Sequence, residues 1–141
     1  MNYLNDSRAV YAQKTTSTSG IVGSGFVVIT APAITPISSS RIILVKAHWR
    51  GIFSTVGGDS FLMAIGETGG GVDRYNETVF HTPASGTSYG PGTVSHLVIS
   101  PSVESHAYNL VGQRTGGSGS GTVQASTTFP TQIIVQDIGA A

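Results

Sequence analysis

The chain has 141 residues, the size of one domain, and its seven basic and seven acidic residues cancel, with charged residues only 10% of the whole. That balance lacks the electrostatic footprint of a general binder of nucleic acid or anionic lipid, so neither nucleic acid nor membrane is expected as a partner. Cysteine is absent, which excludes disulfides, thiolate zinc sites and thiol nucleophiles, and 39% hydrophobic residues alongside 19 glycines exclude a disordered chain.

Threonine, serine, valine and isoleucine dominate and no amphipathic helical window forms, so the chain reads as all-β. Met1 to Val10 lacks a basic region leading into an apolar core, so no export signal is expected, and no apolar run approaches the length of a membrane span. Met1 to Asp6 reads as an arm that orders against a neighbour, and Ser7 to Thr16 alternates weakly. Residues 1–20 are therefore assigned to an N-terminal arm with a candidate first strand, and residues 21–141 to a β-sandwich domain.

After an apolar run at Phe26 to Ile29, the firmest strand spans Arg41 to Phe53. Ile43, Val45, Ala47, Trp49 and Phe53 fall on one face and Lys46, His48 and Arg50 on the other, the alternation of a half-buried strand, with Trp49 a core residue. Gly57 and Gly58 supply a turn before Phe61, Met63 and Ile65 alternate again, which predicts an antiparallel partner and a core hairpin.

Gly66 to Thr93, with three glycines at 69–71 and no sustained period, is expected as long excursions at one end of the sandwich. Strands follow at Val94 to Ile99, Ala107 to Val111, Thr122 to Ala125 and Gln132 to Ile138, and all six prolines fall between runs, where a missing backbone donor costs no ladder hydrogen bond. Gly116 to Gly121 alternates glycine and serine between two apolar strands and is expected as a flexible hairpin tip. The sum is an antiparallel β-sandwich of about eight to nine short strands.

Reactive chemistry is sparse. His48, His81, His96 and His106 contain no pair at metal-ligand spacing, so surface or structural roles are favoured over a metal site, a cluster assembled across strands staying open. Neither Ser118 nor Ser120 has glycine at both positions of a nucleophile elbow, and the Gly/Ser run lacks the lysine of a phosphate loop. Asp59, Glu67, Asp73, Glu77 and Glu104 read as solvated turn and loop acids. Asp137 differs, because it interrupts the apolar run Ile133 to Ile138 and needs a partner, Arg114 or Arg41. No catalytic residue, cofactor or metal is expected.

Loop aromatics stack on sugar rings, and Tyr75, Phe80 and Tyr89 share the long excursion with Asn76 and His81. Packing of these rings on the sandwich or in a subunit contact is favoured over a saccharide site.

From Ser105 to Ala141 the order is His106-Ala107-Tyr108-Asn109-Leu110, Arg114, a Gly/Ser tip, Gly121-Thr122-Val123, a Pro130 turn, and Ile134-Val135-Gln136-Asp137-Ile138-Gly139. This run resembles the end of small virion proteins of tailed bacteriophages that infect actinobacteria, mainly minor tail proteins. Arg41 to His48 followed by Gly58-Asp59-Ser60-Phe61 resembles the central hairpin of that family, so the likeness covers roughly the last 100 residues. Gln136 and Ala140 depart from it, where the family usually has an acid and often a proline, and the first forty residues match none of it.

The resemblance implies a jelly-roll-like, non-enzymatic structural protein of the virion, a minor tail or capsid decoration protein assembled in the host cytoplasm. It further implies a homotrimer that contacts other virion proteins of capsid or tail. Tyr3, Leu4, Tyr75 and Tyr89 are then candidate subunit or particle contacts. The alternative is a receptor- or glycan-binding module that grips cell-surface saccharide through the Tyr75 to Tyr89 excursion.

Overall fold

A computed structural model of the protein describes residues 8–68, 74–82 and 88–140, and the side chains of all of these but 68, 74–76 and 88. Every regular element among them is a β-strand: β1 (Ala9–Lys14), β2 (Thr18–Ile21), β3 (Phe26–Thr30), β4 (Arg41–Trp49), β5 (Gly51–Ser54) and β6 (Ser60–Thr68). They are followed by β7 (Arg74–His81), β8 (Ser88–Tyr89), β9 (Gly92–Ile99), β10 (Ala107–Gly116), β11 (Gly121–Gln124) and β12 (Thr131–Ala140). The predicted arm residues Met1 to Asp6, with Tyr3 and Leu4, lie outside the described residues, as does Asp73.

Eight strands form two four-stranded antiparallel sheets, β1-β12-β4-β9 and β3-β10-β6-β7. The chain passes from one sheet to the other at each step, except for the β6–β7 pair, which stays within one sheet. That order is a jelly roll, two Greek keys closed face to face. The short strands β2, β11, β5 and β8 make a third sheet, each continuing a long strand, so it caps the end of the sandwich where Trp49 and Gly92 pair. The candidate first strand is β1, which adds to the edge of its sheet beside β12.

The inward faces follow the alternation of the sequence. Ile43, Val45, Ala47 and Trp49 of β4 meet Ile133 and Val135 of β12 on one side, and Phe61, Met63 and Ile65 of β6 with Tyr108 and Leu110 of β10 on the other. Burying one such side chain contributes about 1.5–3 kcal/mol. Trp49 lies across Gly92, where a Cβ would come within 2.3 Å of the indole. It also meets Phe80 edge-to-face at 5.5 Å.

Four expectations are corrected. β4 and β6 are not a hairpin: β4 pairs with β12 and β9, and β6 with β10 and β7. The turn at Gly57 and Gly58 carries the chain to the opposite sheet, so that both apolar faces bury each other. Phe53 is not on the face of Trp49, because the strand breaks at Arg50 and the phase flips, which buries Ile52 and leaves Phe53 partly exposed. Much of Gly66 to Thr93 is strand, with β7 extending the β6 sheet and β8 pairing with β5.

Gly116 to Gly121 is not a hairpin tip, because β10 and β11 belong to different sheets. The segment between them is folded down on Asp59.

Candidate functional site

The aromatic residues of the expected excursion are divided between the two ends of β7. Tyr75 pairs with Ile65 and Asn76 sits at the adjoining bulge, whereas Phe80 and His81 pair with Phe61 and Ser60. Five residue steps along β7 separate Tyr75 from Phe80, roughly 17 Å. Phe80 is buried and touches both Trp49 and, at 5.2 Å between ring centroids, Tyr89, which is half exposed on β8. His81 Nδ1 shares a 2.8 Å hydrogen bond with Ser60 Oγ. The structure thus brings Phe80 and Tyr89 together as packing around Trp49 and places Tyr75 and Asn76 elsewhere.

Asp59, Asp137 and Glu67 have structural partners. Asp59 is fully buried, not a solvated turn acid, and accepts hydrogen bonds from Ser54 Oγ at 2.5 Å, Ser118 N at 3.0 Å and Gly119 N at 3.1 Å. The Ser54 hydroxyl, with the two amides and the Arg114 charge, outweighs burial and holds this carboxyl below its ordinary pKa. Arg114 also donates to the Gly119 carbonyl, which fixes the same loop from its other side. Asp137 is buried in β12, and the single Arg41 Nε–H is shared between its Oδ1 and Oδ2 at 2.8 and 3.0 Å, with Arg41 Nη2 2.7 Å from Oδ1.

Ser102, His106 and Glu67 stand in the order of a hydrolase triad, with His106 Nδ1 against Glu67 Oε1 and Nε2 at 3.1 Å from Ser102 Oγ. His106 Nε2 also lies 2.9 Å from the Ser102 carbonyl, to which it donates. Burial opposes charge on the ring, but the Glu67 hydrogen bond, the Ser102 carbonyl and the charges of Glu67 and Glu104 overcome it and raise the pKa. Through these contacts the group ties the β9–β10 loop to β6. His96 is pushed the other way, its pKa lowered by burial. Among the described residues no three His, Cys, Asp or Glu side chains converge as metal ligands.

The outer face of β1-β12-β4-β9 carries exposed apolar side chains among polar ones. Tyr11, Ile134 and Lys46 lie side by side across three strands, and in the next row Gln136, Leu44 and Leu97 do the same. Ile42 and Ile99 pair beyond them, next to the bulge that exposes Ile138. Tyr11 is 66% exposed, Ile99 65%, Leu97 48%, Ile138 46% and Ile134 38%. Together these leave roughly 500 Å² of apolar side chain in water, the size of patch that marks an interaction surface. Lys46 is the one formal charge along this face among the described residues.

At the capped end of that face lies a cleft of about 650 Å³. Trp49, Pro91, Phe129 and Pro130 give it apolar walls, and His48, Arg50 and Gln132 a polar rim. Neither Arg50 nor Phe129 stands out in the sequence, since Arg50 reads as the polar face of a strand and Phe129 as part of a turn. An aromatic residue held before a proline in a Ser/Thr turn is the one local signal.

No family model matches the chain, and no curated protein matches it in sequence. Solved structures do. The Eiger TNF structure from S. frugiperda has a TM-score of 0.52 at 9% identity, over 97% of this chain and 96% of that one. What the two share is the fold. The infectious bursal disease virus VP2 subviral particle gives 0.48 at 11% identity over 97% of this chain, which spans only 38% of that protein. The C-terminal CBM6 of LamC, a laminarinase from Zobellia galactanivorans, gives 0.40 at 18% identity over 93% of this chain and 90% of that one. All are β-sandwiches.

Proposed function

We propose that the protein is a non-enzymatic structural subunit of a tailed-phage virion, a minor tail or capsid decoration protein that acts as a homotrimer in contact with other virion proteins. The observation that carries this reading is the outer face of β1-β12-β4-β9. Tyr11, Leu97, Ile99 and Ile134 expose apolar side chains on a face that, among the described residues, holds one cation and no acid, so a second copy can pack on it without burying an unpaired carboxylate. The resemblance of the last hundred residues to virion proteins of actinobacterial phages supplies the particle.

Sedimentation of the purified chain tests the assembly, with a trimeric mass expected, and a monomer at micromolar concentration removes it. Mass spectrometry and electron microscopy of intact particles test the location. Absence of the chain from the particle overturns the virion assignment.

A further inference from the structure

The cleft beside the apolar face is built differently from that face. Phe129 is 58% exposed, yet its turn is held: Phe129 N donates to Ser126 Oγ at 3.1 Å, and its carbonyl accepts from Ser126 N at 3.0 Å. The guanidinium carbon of Arg50 lies 5.7 Å from the centre of the Phe129 ring. Among the described residues no carboxylate lines the cleft, and the Arg50 guanidinium has no ion pair there. The volume falls in the range of roughly 300–1,000 Å³ typical of small-ligand sites.

We propose that this cleft binds an acidic saccharide, a pyranose bearing a carboxylate, with its apolar face packed against Phe129 and the two prolines and its carboxylate on Arg50. A pyranose offers a face of C–H groups and a rim of hydroxyls. The cleft offers an aromatic ring with Pro91 and Pro130 for the former, and the Gln132 amide, the His48 imidazole and the Arg50 guanidinium for the latter. The guanidinium fork pairs with a carboxylate through two parallel hydrogen bonds, which a neutral sugar cannot accept in the same way.

An acidic peptide fits less well, because peptide recognition on a sheet needs an open edge. β4 and β12, which border the cleft, are both interior strands with partners on either side. This site shares no residue with the exposed apolar row of Tyr11, Leu97, Ile99 and Ile134, so its failure and the failure of the assembly reading are separate results.

The test is calorimetric: oligogalacturonate is titrated into the full-length protein, with neutral cello-oligosaccharide in parallel, and the heat of binding is followed. Saturable heat with the acidic sugar, at least about tenfold tighter than with the neutral one, is expected. Phe129→Ala and Arg50→Ala each weaken it about tenfold or more with the melting temperature unchanged, since both side chains are exposed. No response at millimolar acidic sugar overturns the proposal, as does equal binding of the neutral sugar or full binding by Phe129→Ala.

Discussion

Gly117 lies so close to Asp59 that a Cβ at Gly117 would come within 1.8 Å of the Asp59 carboxylate. Its φ of +85° is also one that L-residues rarely adopt. The Gly/Ser segment is therefore a clasp around a buried acid, and its glycines admit close approach instead of supplying flexibility. Gly117→Ala is expected to cost more than about 2 kcal/mol in urea denaturation, from backbone strain and displacement of the carboxylate. Gly23→Ala, with open space around its Cα, is expected to change stability by less than about 0.5 kcal/mol.

Asp59 also sets an acid limit. Its folded pKa lies below the ordinary 3.8, so its contribution is complete above that value and is lost as pH falls through the folded value. The melting temperature of the wild-type chain is expected to drop as pH falls below about 4, and Asp59→Asn to be less stable at neutral pH with a shallower drop. A parallel pH profile for the two proteins would remove Asp59 as the cause.

His106 works in the opposite direction. Its folded pKa is raised above 6.5, so the Glu67–His106–Ser102 clamp contributes fully below that value and is lost as pH rises through the folded one. His106→Gln is expected to be less stable than wild type near pH 6 and to approach it near pH 9, as followed by thermal denaturation at about these two values. Glu67→Gln should reproduce the effect.

Arg41 and Asp137 join β4 to β12 from within the sandwich. Removing one partner leaves a buried charge, so Asp137→Ala is expected to cost about 3–5 kcal/mol in chemical denaturation. The pair Arg41→Met with Asp137→Leu should recover much of that loss, because neither charge is then left buried without its partner, although the Gly139 N–H loses its acceptor.

The apolar outer face predicts a separation of assembly from folding. Leu97→Asp with Ile99→Asp, both on the exposed face of edge strand β9, is expected to yield a monomer in sedimentation with an unchanged far-ultraviolet circular dichroism spectrum. A wild-type mass for this variant would show that another surface joins the copies.

By itself the sequence determined the strand class and the inward faces. Alternation is local, so Ile43, Val45, Ala47 and Trp49 announce their common face without reference to any other strand, and an acid amid Ile133 to Ile138 announces its need for a cation. Gly57 and Gly58 mark a turn but carry no information about which sheet the chain enters next, and so the partners of β4 could not be read.

Tertiary structure alone decided the rest. It laid Tyr11, Leu44, Leu97, Ile99 and Ile134 side by side from four separate strands, folded a glycine-serine segment onto Asp59, and set Arg50 over Phe129 at the mouth of a cleft. Each of these depends on strand pairing or loop packing between distant segments, which is selected by the burial of whole faces, and no local pattern encodes which face will meet which.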